Sequence, residues 1–348
     1  MAEQHRHHHH HHHRRKKKRT GLIVMAVILG LLIALLLGVF IFLQVKLGKI
    51  RRVDPTQEIQ VPPSEEEFEP NEDPSDADGL DAIDPEDVSW ANVQVAYDEK
   101  IKNILLIGQD RRPNEGRSRS DSMIVCSINT RTNEITLTSI MRDMYVPIPG
   151  YSDNRINSAY KTGGMYLLDK TIEQDLGIHI DGNVEVDFER FVEAMSVVGD
   201  LEIYINADEV EYYKGFGYHF HEGYNTLTPE QILTYARTRH VGNMDFERTE
   251  RQRRVLQAAF LKVRHKSLPE ILEFTDEVFP CFVTDLSNGD ILNYVYTIVT
   301  KNMAITNTHR IPVEGSYEHV TIRGMAVLVP DLEVNSRAIK EYIYGEQQ

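Results

Sequence analysis

Cysteine is almost missing from this chain. Its 348 residues include two, Cys126 and Cys281, and neither stands in a CxxC or Cys/His spacing, which removes any sign of a zinc module. Cys126 lies in the apolar run SMIVCSI and reads as a small core residue, while Cys281 follows Pro280 in a second apolar patch. A disulfide is chemically permitted in an oxidising compartment, but the sequence does not pair the two. Basic residues are missing from one long stretch. Between Asp54 and Glu99 there are sixteen acidic residues, no lysine or arginine, and prolines at 55, 62, 63, 70, 74 and 85. Such a segment repels itself and has little apolar surface to offset its ordering entropy, so it is expected to be an extended stalk. It supplies much of the formal net charge of -15.

Charge and proline are both missing from Leu22 to Leu43. At a helical rise of 1.5 Å, about 20 such residues cross a ~30 Å hydrocarbon core, so this run predicts a transmembrane helix. A cleaved signal peptide has a shorter apolar region and a small-residue site. Gln44-Val45-Lys46-Leu47 offers no Ala-x-Ala pattern, and the run reads as an uncleaved signal anchor. RRKKKR (Arg14 to Arg19) precedes it, against the sparser Lys46, Lys49, Arg51 and Arg52 after it. The positive-inside bias then places the N-terminus in the cytoplasm and the large C-terminal part outside, single-pass at the cell membrane. His7 to His13 form a histidine tract that fits a native tail, a tag or a metal-binding run, and no metal role is assigned to it. The expected organisation is a basic tail (1–20), an anchor (21–45), an acidic linker (46–96) and a folded domain (97–348). With 41% hydrophobic residues overall, global disorder is excluded.

In the folded part, KNILLIG (102 to 108), SMIVCSI (122 to 128) and EITLTSI (134 to 140) are short β-rich runs, the last two joined by the polar turn NTRTN. Helical patterns follow in INSAYKTGGMYLLDKTIEQDL, interrupted by Gly163-Gly164, and in DFERFVEAMSVV; HIDGNVEVDF and DLEIYI alternate as strands do. Thr228-Pro229-Glu230-Gln231 is a capping box that opens the helix PEQILTYAR. A longer helix is expected from about Phe246 to His265. SLPEILEFTDEVF and NGDILNYVYTIVT predict two more helices and THRIPV a strand, with no chemical constellation among them. Hairpins mixed with βα crossovers predict an α/β domain, a mixed central sheet flanked by helices.

Six arginines crowd the eighteen residues from Arg237 to Arg254. At ~4 Å and an effective dielectric near 20, like charges repel by several kcal/mol, so the cluster asks for acidic partners or a polyanion. Asp245, Glu247 and Glu250 are in reach as partners. Nucleic acid fits poorly: the folded part is itself acidic and carries no RNP, KH or zinc-finger signature. Phosphate fits best, because planar guanidinium forks match its oxygens bidentately. On the long helix the apolar stripe of Leu256, Ala259 or Phe260 and Val263 runs back through Gln252 to Arg248, which aims Arg248 into a cleft. Arg251 and Arg254 fall off that stripe and, with Arg253, read as surface or supporting charges. In GQDRRPNEGRSRSDS, Asp110 ends one strand and Asp121 begins the next, an arrangement suited to a Mg²⁺ or Mn²⁺ ion shared with phosphates. SIMRD puts Arg142 and Asp143 directly after the third strand, at the rim.

These residues together resemble the LytR-CpsA-Psr (LCP) phosphotransferases of Gram-positive bacteria. NILLIGQD, SRSDSMIV, TSIMRD, RINSAYKTGG, VEVDFERFV, LTPEQILTYARTRH and DFERTERQRRVLQA occur in the family's order over 102–265, and an anchor plus spacer is the family's layout. The resemblance implies a mixed α/β domain with a long apolar pocket for a polyprenyl chain. It also implies transfer of a glycopolymer phosphate (teichoic acid, capsule or other wall glycan) from undecaprenyl diphosphate to a peptidoglycan sugar hydroxyl. By motif, Asp110 and Asp121 match the metal-linked aspartates. Arg119, Arg142, Arg237, Arg239 and Arg248 match the arginines that grip the diphosphate, and Asp245 and Gln252 match supporting polar positions. Asp245 or Asp143 is the candidate base, with Asp245 also suited to holding arginines in place. Met141 replaces the family's proline, and Gly199-Asp200 stands where Gly-Gly is usual; neither removes a charged position. Two other readings remain, a polyprenyl-diphosphate phosphatase with water as acceptor, and a non-catalytic envelope protein that binds wall lipid or acts in regulation.

Overall fold

The computed structural model describes residues 37–345 apart from 39–40, 59, 72, 112–115, 243, 265 and 267. The histidine tract and most of the apolar run Leu22 to Leu43 lie outside the described residues. Among the described residues, no helix is long and apolar enough to cross a membrane. The N-terminal unit ends at Lys49, and everything from Ile50 onward forms the second unit.

The second unit begins with β1 (Arg51–Arg52), followed by β2 (Ile101–Gln109), β3 (Ser120–Asn129), β4 (Glu134–Ile140), β5 (Tyr145–Val146) and β6 (Asn154–Arg155). Next come α1 (Ile156–Leu176), β7 (Gly182–Asp187), α2 (Phe188–Val198), β8 (Leu201–Ile205), α3 (Ala207–Lys214), β9 (Gly223–Leu227), α4 (Pro229–Arg237) and α5 (Met244–Arg264). The chain closes with α6 (Leu268–Val278), β10 (Val283–Thr284), α7 (Asn288–Thr300), β11 (Ala304–Ile311), β12 (Tyr317–Ile322), β13 (Met325–Pro330) and α8 (Leu332–Tyr344). The central sheet runs β1-β10-β7-β2-β3-β4-β11. It is mixed: β2 pairs β7 and β4 pairs β11 in parallel, whereas β3 is antiparallel to both β2 and β4. DLEIYI, expected as a strand, is one, but it leaves this sheet and pairs β9 in a two-stranded ribbon.

Strand alternation sends successive residues to opposite faces of the sheet. Leu105, Ile107, Met123 and Val125 pack with Leu168 and Ile172 of α1 and Ile339 of α8. Ile104, Ile124, Ile128 and Leu137 face the other way, against half-buried Leu256 and Phe260 of α5 and Ile291, Tyr294 and Ile298 of α7. Each fully buried aliphatic side chain contributes roughly 1.5–3 kcal/mol. The capping box of Thr228 and Gln231 forms at the start of α4. Both cysteines are free thiols.

The acidic segment is not an extended stalk. Val61 N–H donates to Thr162 O (2.8 Å), Ile83 N–H to Thr321 O (3.0 Å) and Ala96 N–H to Gly177 O (2.8 Å). Trp90 donates to Asp153 at 2.7 Å, and Ile83 and Val88 pack on the cluster around Tyr145, Ile322 and Val327. Asp54, Asp73 and Asp84 each cap a proline-led turn by accepting from the amide two residues on. Composition describes the segment in isolation, whereas in the fold its carboxylates find cations of the domain. Glu58 illustrates this: its carboxylate pairs with Arg117 at 2.9 Å and also accepts from Met165 N–H at 2.7 Å, at a break in α1. Gly164, at φ 67, adopts left-handed backbone there, where a Cβ would collide with that carboxylate.

Candidate active site: an arginine-lined cavity

The carboxyl ends of β2, β4, β7 and β11 and the start of β3 share one edge of the sheet, the edge where open α/β sheets usually bind ligands. Gly108 pairs with Ser122 and Gln109 with Ser120, so Asp121 is the extra residue of a bulge in β3. Bulges re-aim side chains next to active sites. Here the bulge lets Asp121 accept from Arg142 Nη1 at 2.5 Å. Arg142 and Asp143 follow β4, Arg155 ends β6, Arg239 sits in the loop after α4, and Asp245 and Arg248 lie in the first turns of α5.

These groups converge. Asp245 holds Arg248 Nη2 (2.8 Å) and Arg142 Nε (3.5 Å) on one oxygen and Arg239 Nε (3.0 Å) on the other. Arg248 also donates to the Asp121 carbonyl at 3.0 Å. Asp143 lies 3.5 Å from both Arg142 Nε and Arg155 Nε. Among the described residues, Arg248 Nε finds no hydrogen-bond acceptor. In front of the cluster is a cavity of about 270 Å³, whose wall includes Arg119, Arg142, Arg155, Arg239, Asp143 and Asp245. Arg142 and Arg248 are only 4% and 5% exposed, so their charges face protein and cavity instead of bulk water. Burial pushes Asp143 above the usual carboxylate range; Arg142 beside it opposes that shift and the Asp245 charge adds to it. Burial lowers Arg248, against the pull of Asp245.

A chain folded this way, with arginines at this sheet edge, can be compared with known proteins. The sequence model of the LytR_cpsA_psr family matches residues 72–340. The chain belongs to that family. Similar to it are the regulatory protein MsrR of Staphylococcus aureus, 29% identical over 255 residues, 72% of this chain and 77% of MsrR, and the polyisoprenyl-teichoic acid--peptidoglycan teichoic acid transferase TagU of Oceanobacillus iheyensis, 32% identical over 263 residues, 72% of this chain and 78% of TagU. Among solved structures, TagT with bound octaprenyl pyrophosphate lipid shares the fold, with a TM-score of 0.54 at 23% identity over 74% of this chain and 99% of that one. The mixed α/β sheet domain expected from the sequence is the family's fold.

In this LytR_cpsA_psr protein the motif residues divide into groups. Arg119, Arg142, Arg239 and Asp245 line the cavity; Arg248 and Asp121 sit behind its wall, tied to Asp245 and Arg142. Gln252, one turn beyond Arg248, accepts from Ser122 at 2.9 Å and donates to Ala236 O at 3.4 Å. Arg237 and Asp110 are not in the lining. They pair with each other at 3.3 Å, about half exposed, with Arg237 stacked 4.4 Å over the Phe188 ring.

The other three arginines of the cluster are not surface charges. Arg251 is completely buried: it donates to Glu209 at 2.8 Å and to the carbonyls of Thr238 and Val241 at 3.0 Å each. Arg253 donates to Ser139 at 2.7 Å, and burial pushes its guanidinium down to about 10. Arg254 is half-buried on Tyr235 (3.0 Å) and Glu209 (3.5 Å). Of the two roles expected for them, surface or supporting, burial leaves the supporting one, because α5 is covered on more than one side, by the sheet and by the cluster of α2, α4, α6 and the β8–β9 ribbon. Arg251 positions the site: Thr238 and Val241 flank Arg239, so its two carbonyl contacts fix the loop that carries that arginine.

Sequence reasoning also passed over Arg155, although it stands in the quoted motif RINSAYKTGG. It passed over the C-terminal third as well, from which His319, Ala326 and Leu328 complete the cavity wall. Nothing in the local pattern of β12 and β13 marks them, because the hairpin reaches the site through the fold alone.

Among the described residues, no group of three or more His, Cys, Asp and Glu is placed to hold a metal ion. Two aspartates at neighbouring strand ends are nonetheless a donor set that fits Mg²⁺, which keeps waters and shares substrate phosphates instead of filling a protein cage. Asp110 and Asp121 fit that description only with their arginine partners turned toward the phosphates.

Proposed function

We propose that this protein transfers a phosphate-linked glycopolymer from undecaprenyl diphosphate to a sugar hydroxyl of peptidoglycan, outside the cytoplasm and anchored by Leu22 to Leu43. The carrying observation is the largely buried cluster of Arg142, Asp245 and Arg248, joined by half-buried Arg239, at an arginine-walled cavity. It is preorganised positive charge in a low-dielectric setting, which stabilises developing phosphate charge better than water can. The acceptor hydroxyl oxygen bonds to the phosphorus that carries the glycan, and the bond from that phosphorus to the bridging oxygen breaks. Lipid monophosphate leaves, held by Arg142 and Arg239 at the cavity wall, with Arg248 behind them adding positive charge. The acceptor proton goes to Asp143, whose raised affinity for protons suits a base. Asp245 is occupied with three arginines and acts by holding them. Asp110 and Asp121 would hold a Mg²⁺ ion, which would supply further neutralisation of the diphosphate.

The apolar end of α5 is where the lipid tail would lie in this reading. Arg248, Gln252, Leu256 and Phe260 follow one another at four-residue spacing on α5, polar first and apolar last, as in an amphiphile with a charged head. Leu256 and Phe260 face Ile291, Tyr294 and Ile298 of α7 over the sheet. TagU, by its name, transfers teichoic acid to peptidoglycan, and a TagT structure holds octaprenyl pyrophosphate; both support this reading. The name of MsrR keeps a regulatory reading in view. The two are told apart by supplying full-length protein with lipid-diphosphate-linked glycan, Mg²⁺ and peptidoglycan oligomers. Covalent glycan on the oligomer supports transfer, free glycan phosphate alone points to a phosphatase, and tight lipid retention with no turnover under any metal points to a binding role.

A further inference from the structure

The acidic segment that packs on the domain also reaches into the cavity. Asp76 lies 3.5 Å from Arg239 Nη2, and Glu69 lies 3.0 Å from Arg119 Nη2 while also binding Lys161. Asn71, from the same run, accepts from Arg155. Two arginines expected to grip diphosphate are therefore engaged by carboxylates from the chain's own N-terminal strap. Asn71, Ser75 and Asp76 are part of the cavity wall.

Formal charge sharpens the point. The domain brings five arginines to this place, Arg119, Arg142, Arg155, Arg239 and Arg248, against three aspartates, Asp121, Asp143 and Asp245. That leaves an excess of two positive charges; Glu69 and Asp76 bring two negative ones, with Lys161 and Glu67 as a further pair beside them. A diphosphate esterified at both ends carries the same two negative charges. The strap is held here by polar contacts: no residue of its short turns is buried, and Glu69 and Asp76 reach their arginines through partly exposed side chains, where an anion offering the same charge can take their place.

We propose that the segment carrying Glu69 and Asp76 is an anionic strap that mimics the diphosphate, with these two carboxylates holding Arg119 and Arg239 until the donor's phosphates displace them. This rests on the reading of the cavity as a diphosphate site and adds its regulation. The strap sets a threshold for donor binding, since apparent affinity falls by the fraction of molecules whose site is open.

The test uses the full-length protein in detergent micelles and inorganic pyrophosphate as probe, with titration calorimetry for affinity and hydrogen exchange for the strap. The double variant E69Q/D76N is expected to bind pyrophosphate roughly five- to thirtyfold more tightly than wild type, the effect of removing one or two weak pairs. Pyrophosphate is also expected to speed amide exchange around Glu69 and Asp76 in the wild type. E86Q, on an exposed turn of the same segment, should change neither reading. If wild type binds pyrophosphate but E69Q/D76N stays within twofold of it and strap exchange is unchanged, the strap proposal is overturned while the anion site stands. If neither protein binds pyrophosphate, both readings fall.

Discussion

Replacing Arg251 with methionine removes the most deeply buried charge of the arginine cluster while keeping much of its volume. Arg251 and Glu209 are both 0% exposed and 2.8 Å apart. Removing one member of such a pair usually costs about 3–5 kcal/mol, because the other is left buried and uncompensated. Glu209 does not lose every partner: Asn206 N–H still donates to it at 3.0 Å, and Arg254 stands 3.5 Å away. The carbonyls of Thr238 and Val241 do lose their donor, however, at about 1–3 kcal/mol for each one left buried and unsatisfied. A net loss of about 3–5 kcal/mol is expected, which for a domain of this size lowers the melting temperature by roughly 6–20 °C. The assay is thermal unfolding of R251M, E209Q and the double variant, analysed as a cycle, with the double variant losing less than the sum of the singles. A melting temperature for R251M within about 2 °C of wild type would refute the buried-pair argument.

Two further outcomes follow from other positions. Burial pushes Asp175 up to about 8, with Gln174 as its hydrogen-bond donor, whereas an unfolded aspartate titrates near ~3.9. The folded state therefore binds the extra proton, so the stability linked to this group is fully present below about pH 4 and is lost as pH rises through about 8. D175N should raise the melting temperature by several degrees at pH 8 and leave it nearly unchanged at pH 4, measured by calorimetry across that range. At the cavity, Arg142→Ala should lower the transfer rate by about 10²–10³-fold, as loss of a preorganised donor does. Arg237→Ala, at a half-exposed pair outside the cavity wall, should lower it by about tenfold or less, and steady-state kinetics on both variants give the ranking.

Much of the fold was legible because it depends on local pattern. EITLTSI coincides with β4 from Glu134 to Ile140, and the capping box of Thr228 and Gln231 starts α4 where proline and threonine require it. What was not legible depends on partners distant in sequence. Arg251 owes its burial to Glu209, 42 residues away, on a helix whose own sequence gives no hint of that meeting. The strap was misjudged for the same reason: sixteen carboxylates without a cation repel, but Arg117, Arg119, Arg239 and Lys161 come to them from the domain. At the site, motif order points to Arg142, Arg239, Arg248 and Asp245 among others, and the fold brings these four together. Only the fold shows that Asp245 ties the three arginines together, and that Arg155 joins them from the start of α1.

The most direct test of the central claim is a transfer assay on the full-length protein with polyprenyl-diphosphate-linked glycan, Mg²⁺ and peptidoglycan oligomers, read by mass spectrometry of the acceptor. The arginine cavity predicts glycan joined through phosphate to the oligomer with wild type and a loss of about 10²-fold or more with Arg248→Ala. Full transfer by a folded Arg248→Ala variant, or no product on the oligomer under any divalent metal, would contradict it.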